Sequence, residues 1–197
     1  MIKKIVLIIM IGMMQAGAYD DFDMGVTHSL VGVEVGYGNI SSERTNTNTS
    51  PTTFSTADTT IANAGLKIGA ESTHYRLLLS ARYAKDSDSA FDYIMNYEVE
   101  GDYLFNFSRA ANFFIGVHGG MTYMKFIVAG EPYSRTISSQ YYGGNLGFNI
   151  HASKTTDIEL GSRMMIMDAS NIKSGVEYKF TDSMTVYCSV IFKYQID

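Results

Sequence analysis

Acids, bases and histidines recur at alternate positions along this 197-residue chain. The charged set is Glu34, Lys67, Glu71, Arg76, Arg82, Glu98, Glu100, Glu159 and Arg163, accompanied by His118 and His151. In Glu98-Val99-Glu100 the spacing puts two carboxylates on one face of an extended strand. Paired acids beside a histidine are the raw material of a hydrolase, one group giving a proton while another takes one. The spacing alone does not specify a catalytic dyad, because carboxylate separation in space decides that. The same residues, turned inward and paired with one another, make an ion-pair network filling a narrow interior, which is the favoured reading. Cys188, between Val186 and Val190, reads as a small hydrophobe, and Met164, Met165 and Met167 read as strand packing. One cysteine rules out a disulfide framework and a cysteine-clustered zinc site. No Walker or dinucleotide glycine pattern occurs in a strand-to-helix setting, so neither a cofactor nor a metal is expected.

The elements that must hold these groups are strands. Apolar residues make up 46% and charged residues 18%, which excludes a disordered chain. Eighteen glycines, fourteen tyrosines and eleven phenylalanines against two prolines favour extended structure over a helix bundle. Period-two alternation runs through Leu30–Gly38, Thr60–Glu71, Tyr75–Tyr83, Phe91–Asn106, Phe113–Tyr123, Leu146–His151, Ile158–Ile166 and Val186–Tyr194. In the fourth of these, Phe91, Tyr93, Met95, Tyr97, Val99, Tyr103 and Phe105 share one face, opposite Asp92, Asn96, Glu98, Glu100, Asp102 and Asn106.

Two features argue that the apolar face is the outside. Aromatics gather at strand ends: Tyr37, Tyr83, Phe91, Tyr93 and Tyr123 at one rim, Tyr75, Phe105, Phe107, Phe113 and Tyr194 at the other. Such girdles mark the two interfaces of a transmembrane barrel. The polar faces combine glycines with single charges, which suits a narrow lumen. Only a closed sheet satisfies its backbone in lipid, so the expected fold is all-β, a closed antiparallel up-and-down transmembrane β-barrel. Ile172–Phe180 also alternates, but an odd ninth strand conflicts with even-stranded bacterial barrels. Asp168–Ser183 is therefore read as an external connection whose arms extend strands seven and eight. Eight strands are expected; ten, with Asp20–Ser29 recruited, is the alternative. Tight turns at Ser72–His74, Ser108–Ala111 and Ser153–Thr156 alternate with longer stretches at Asn39–Asp58 and Val128–Ser138, the first expected to be a mobile external loop.

At the N-terminus Lys3 and Lys4 precede the apolar run Ile5–Met14, followed by Ala16-Gly17-Ala18. Residues 1–18 read as a secretory signal peptide cleaved before Tyr19, the run being too short for a bilayer anchor, and residues 19–197 as one barrel domain. The formal charge is −5, and without the two lysines 13 bases face 20 acids, which argues against a nucleic-acid partner.

The pattern as a whole resembles the small bacterial outer-membrane barrels of the OmpA/OmpX type. Leu30-Val31-Gly32-Val33-Glu34-Val35-Gly36-Tyr37-Gly38 resembles their first strand, and Ser189-Val190-Ile191-Phe192-Lys193-Tyr194 their last. The resemblance implies that Phe192 and Tyr194 form the signal read by the barrel assembly machinery, although Gln195-Ile196-Asp197 follow the last aromatic. It further implies an outer-membrane location and a surround of outer-membrane lipid and lipopolysaccharide; no peptidoglycan-binding domain is read after the barrel, so anchoring to the cell wall is not expected. Three functions stay open. A surface scaffold with an extracellular ligand for its loops is preferred; a passive pore and, less favoured, a lipid-modifying enzyme are the alternatives. Arg76 is expected to sit between Glu71 and Glu100, helping to plug the lumen.

Overall fold

The computed structural model describes residues 27–48, 52–86, 91–127 and 133–194. The signal segment, the cleavage site and most of Asp20–Ser29 lie outside the described residues. Eight antiparallel strands follow one another in chain order: β1 (His28–Asn46), β2 (Thr53–Glu71), β3 (Tyr75–Asp86), β4 (Phe91–Asn106), β5 (Ala111–Ile127), β6 (Ser134–His151), β7 (Thr156–Lys173) and β8 (Val176–Tyr194). Each pairs with its neighbour, and β1 also pairs with β8, so the sheet closes. Eight strands is the answer, because β1 has both edges occupied and leaves no position for a further strand.

The stagger is read from the ladders. Pairs lead from His28 through Glu71, Arg76, Asp102, Gly116, Asn145, Arg163 and Thr185, and return to Gly38, ten residues along β1. That closed path also lays Glu71, Arg76, Asp102, Asn145 and Arg163 on one inward-facing spiral. At eight strands the interior is just wide enough for side chains to fill.

The polarity is inverted relative to a soluble barrel. Val31, Val33, Val35, Leu77, Leu79, Leu146, Phe148 and Leu160 are exposed, while Glu34, Lys67, Arg76, Glu100, Glu159 and Arg163 are buried. Aromatic rings line the exterior near the short turns, from Tyr75 through Tyr103, Phe105, Phe113 and Phe148 to Phe107, each 4.7–6.5 Å from the next. Tyr37, Tyr83 and Tyr123 are exposed at the opposite rim.

Three sequence expectations need correction. Asn39–Asp58 is not a loop: β1 runs on to Asn46 and β2 begins at Thr53, paired residue for residue. The stretch lacks apolar alternation because both of its faces stand beyond the apolar band, so pairing there leaves no hydrophobic signature. Val128–Ser138 likewise contributes Ser134–Ser138 to β6. Phe91 points inward, not to the outer rim, because a bulge between Phe91 and Tyr93 shifts its parity. Asp168–Ser183 follows the expected course, as two strand arms joined at Ser174 and Gly175, both with positive φ.

Candidate functional site

The lumen is built in layers, beginning near the three short turns, the start of β1 and the end of β8. There Lys193 Nζ lies 2.7 Å from both Glu71 Oε1 and Asp157 Oδ2. Asp157 Oδ1 is 2.8 Å from His151 Nδ1. An aspartate-held imidazole of this kind can serve a nucleophile, but the nearby Ser153 hydroxyl is engaged with Thr155 in its own turn.

The next layers carry the network. Lys67 Nζ bridges Glu34 at 2.8 Å and Glu159 at 2.7 Å. Arg76 reaches Asp102 at 2.7 Å and Glu159 at 2.6 Å, with Glu100 at 4.0 Å. Arg163 donates to Glu34 at 2.9 Å and to Glu100 at 3.0 Å, with Glu98 at 3.4 Å. Arg82 forks onto both oxygens of Glu98, which also accepts hydrogen bonds from Ser80 and Tyr141. Asn145 donates to Glu100 and Asp102. Six strands converge through a continuous mesh, and its side chains are essentially shut off from solvent.

All nine charged residues picked from the sequence therefore face the lumen. Eight join the central mesh; Glu71 does not. It stands opposite Arg76 in the ladder, yet its carboxylate turns to Lys193, while Arg76 takes Asp102 and Glu159. The expected Glu71–Arg76–Glu100 sandwich is thus replaced by Asp102, the ladder partner of Arg76 on β4, and by a reach across the barrel to Glu159, which the ten-residue stagger brings close. Sequence pairing sees only adjacent strands.

Several members escaped the sequence reading. Tyr187 and Phe114 point inward and separate the cations: Lys67 Nζ and Arg163 Cζ each lie 4.5 Å from the Tyr187 ring centre, and Arg76 Cζ lies 4.8 Å from that of Phe114. Parity was the available signal, since Tyr187 falls in step with Thr185, Ser189 and Lys193. Glycines make the room. A Cβ on Gly161 would stand 2.5 Å from Tyr187 Cζ, and one on Gly143 would stand 2.7 Å from His118 Nε2. His118 is buried against Tyr141, ring centres 6.0 Å apart, with neither ring nitrogen hydrogen-bonded among the described residues. Among the described residues no three His, Cys, Asp or Glu side chains are arranged to hold a metal ion.

Above the mesh the interior turns apolar. Ile40, Ile61, Ile94, Met124, Ile137, Met165 and Met167 pack together under Phe91, Phe126 and Phe180. Those three rings lie 5.3–6.0 Å apart, and Tyr178 covers Phe126. Arg135 lies across Tyr178 at 5.0 Å and donates to backbone oxygens of Asn171, Lys173 and Val176. Outside the apolar band, Asp92 accepts from Lys125 and Asp168 from Lys179, and each hydrogen bond raises the lysine's pKa. Phe192 and Tyr194 lie at the end of β8, both facing outward and exposed.

A closed eight-strand sheet with an apolar belt and a charged interior defines the transmembrane β-barrel class. The chain has the fold of the small outer-membrane barrels of the OmpA/OmpX type. It is similar to Neisserial surface protein A, with TM-score 0.64, 11% identity, and 84% of this chain and 97% of that chain covered. It is similar also to the outer membrane protein OprG from Pseudomonas aeruginosa, with TM-score 0.60, 14% identity, and coverage of 88% and 99%. Outer membrane protein AlkL superposes with TM-score 0.54 at 7% identity, covering 90% of this chain and 94% of that one. No protein-family model matches the sequence, and no curated protein matches it.

Proposed function

We propose that this chain is an integral outer-membrane protein whose barrel is a plugged anchor and whose working surface is the sheet it raises outside the cell. The observation carrying this reading is the filled interior. A salt-bridged layer, an apolar layer and an aromatic lid follow one another along the axis. In this orientation the short turns, the start of β1 and the end of β8 face the periplasm, as short turns do in such barrels. The protein then acts as a structural or interaction scaffold rather than a catalyst. Outer-leaflet lipid and lipopolysaccharide wet the belt, and Phe192 and Tyr194 are offered to the assembly machinery.

Single-channel recording in planar bilayers tests the plug. The expected result is a flat baseline from heat-modifiable, folded protein. Steady conductance steps would make the passive-pore reading correct.

A further inference from the structure

Beyond the apolar belt the sheet is uneven. Pairing between β1 and β2 continues to Asn46 and Thr53, that between β1 and β8 to Asn46 and Val176, and that between β7 and β8 to Lys173 and Val176. The ladders on either side stop earlier, at Ile61 with Asp86 and at Tyr141 with Met167. Arms of β2, β1, β8 and β7 therefore stand together beyond the belt, one face turned over the mouth of the barrel and the other turned away from it.

Strand parity sorts the charges of these arms by sign. The outer face carries Glu43, Asp58, Asp168, Glu177 and Asp182, with Lys179 held 3.1 Å from Asp168. The inner face carries Arg44 and Lys173, and among the described residues of the four arms it carries no carboxylate. Arg135 joins them from β6. All three cations lie against rings: Arg44 Cζ and Arg135 Cζ are 5.9 and 5.0 Å from the centre of Tyr178, and Lys173 Nζ is 3.3 Å from that of Tyr133. Arg44 stands opposite Tyr178 in the ladder, and Arg135 donates to backbone oxygens of Asn171 and Lys173, so the three form one patch. Arg135 is buried and makes its floor, whereas Arg44 and Lys173 are exposed. Neither of the exposed pair has an ion-pair partner among the described residues. Across the mouth, Asp86 accepts the backbone N–H of Phe91.

We propose that this inner face docks a short acidic segment of an external polypeptide, whose carboxylates take Arg44 and Lys173 as partners. Arg135 adds fixed positive charge beneath them. An arginine grips a carboxylate through two parallel hydrogen bonds, and stacking on a ring holds the guanidinium plane ready for it. A saccharide fits less well, because cations already occupy faces of Tyr178 and Tyr133 on which a sugar would stack. A long polyanion fits less well again. Wound around the arms, it would meet the five carboxylates of the outer face, and like charges brought together exclude a partner. A short extended segment avoids that face and presents alternate side chains on one side, about 6.5–7 Å apart. The proposal rests on the proposed function in that this end must face the outside; the binding itself does not depend on orientation.

The test uses the folded barrel in zwitterionic lipid nanodiscs and, as probe, a fluorescent octapeptide of alternating glutamate and serine, read by anisotropy. Binding is expected to saturate, to weaken at least about tenfold when glutamine replaces glutamate in the peptide, and to fall as salt is raised. Arg44→Gln combined with Lys173→Gln is expected to cost about tenfold or more in affinity, with the heat-modified gel shift intact. Lys179→Gln, which removes a cation from the outer face, is expected to leave the affinity within about twofold. Equal affinity for the glutamine peptide, indifference to the double substitution, or no saturable binding up to about millimolar peptide would overturn the proposal. So would a loss in Lys179→Gln as large as that in the double variant. Tighter binding of a fluorescent sulfated oligosaccharide of equal charge would also overturn it, since the face would then belong to a glycan. A second arm adds the same peptide to intact cells. Binding in nanodiscs without binding to cells would overturn the outward placement of this end, and an external partner with it, while leaving the patch its affinity for acidic peptide. Absence of a gel shift in the unaltered protein would instead sink the barrel reading.

Discussion

Strand β6 carries two opposite proteins on one backbone. From Ser134 to Tyr141 the exposed positions are Ser134, Thr136, Ser138 and Gln140, and the inward ones include Ile137 and Tyr141. From Asn145 to Ile150 the exposed positions are Leu146, Phe148 and Ile150, and the buried ones Asn145 and Asn149. The alternation never slips; the solvent does. Strand β7 repeats the exchange, with Glu159 and Arg163 inside its lower part and Met165, Met167 and Ala169 inside its upper part. A 19-residue strand tilted by about 45° spans roughly 40 Å of barrel axis, against an apolar band of about 25 Å. The remainder stands in water and folds as a soluble barrel does, apolar inside. The lower half must instead keep its interior polar groups paired, because neither lipid nor water reaches them.

The largest effect is expected where the lower half depends on one cation. Arg163 serves Glu34, Glu98 and Glu100, and Arg163→Ala would leave three carboxylates short of a partner. Breaking a buried pair by removing one member costs about 3–5 kcal/mol. The urea midpoint of the detergent-folded barrel is expected to fall accordingly. Arg163→Met paired with Glu34→Gln should recover part of the loss, since removing both charges is far milder than orphaning one. A midpoint unchanged in Arg163→Ala would show that the mesh is not under this constraint.

In the upper half the corresponding weak point is apolar. Phe126, 4% exposed, packs on Phe91, Phe180 and Tyr178, so Phe126→Ala is expected to cost about 3 kcal/mol or somewhat more. Because the damage lies above the membrane, amide exchange should accelerate in the upper strand arms and spare the belt. Uniform acceleration along the strands would mean that the two halves unfold as one.

Sequence alternation made the closed barrel, its strand count and the inward facing of the nine charges legible. What it concealed has physical causes. The interior partners of Arg76 lie on β4 and β7, and only the stagger of the closed sheet brings Glu159 within reach. Tyr187, Phe114 and Leu78 sit at inward positions with the wrong chemistry for a polar face, so a reading by residue type passes over them. The strand arms within Asn39–Asp58 look like a loop in the sequence because a largely polar ribbon has no hydrophobic period. The inward bulge at Phe91 is a backbone event that no side-chain type announces.

The same substitution placed on the two exteriors sharpens the comparison. Leu79 faces outward in the belt, 49% exposed, whereas Thr56 is exposed on the arm of β2 beyond the belt. An arginine on the lipid face near the midplane costs about 2–4 kcal/mol. Leu79→Arg is therefore expected to lower the folding stability in liposomes by that amount. Thr56→Arg, in water on both sides of the sheet, should shift it by no more than about 0.5 kcal/mol. Equal penalties would place the apolar boundary higher than β6 indicates.

The smallest effect belongs to the border between the halves. Lys125 lies on β5 two residues beyond the rim residue Tyr123, with its ammonium 2.9 Å from Asp92 and both side chains about one-third exposed. Such a pair gains little, because water and salt screen it and two flexible side chains must be held still. The sign of its pH dependence is nevertheless fixed. Asp92 raises the Lys125 pKa in the folded barrel above the ordinary lysine value of 10.5. Whatever the pair contributes is fully present below that ordinary value and is lost as pH rises through the raised one. Lys125→Met should leave the neutral-pH midpoint unmoved at physiological salt, and any difference seen at low salt should vanish in strong alkali. A clear loss of stability at neutral pH and high salt would move Lys125 out of the wet rim and into the sealed part of the barrel.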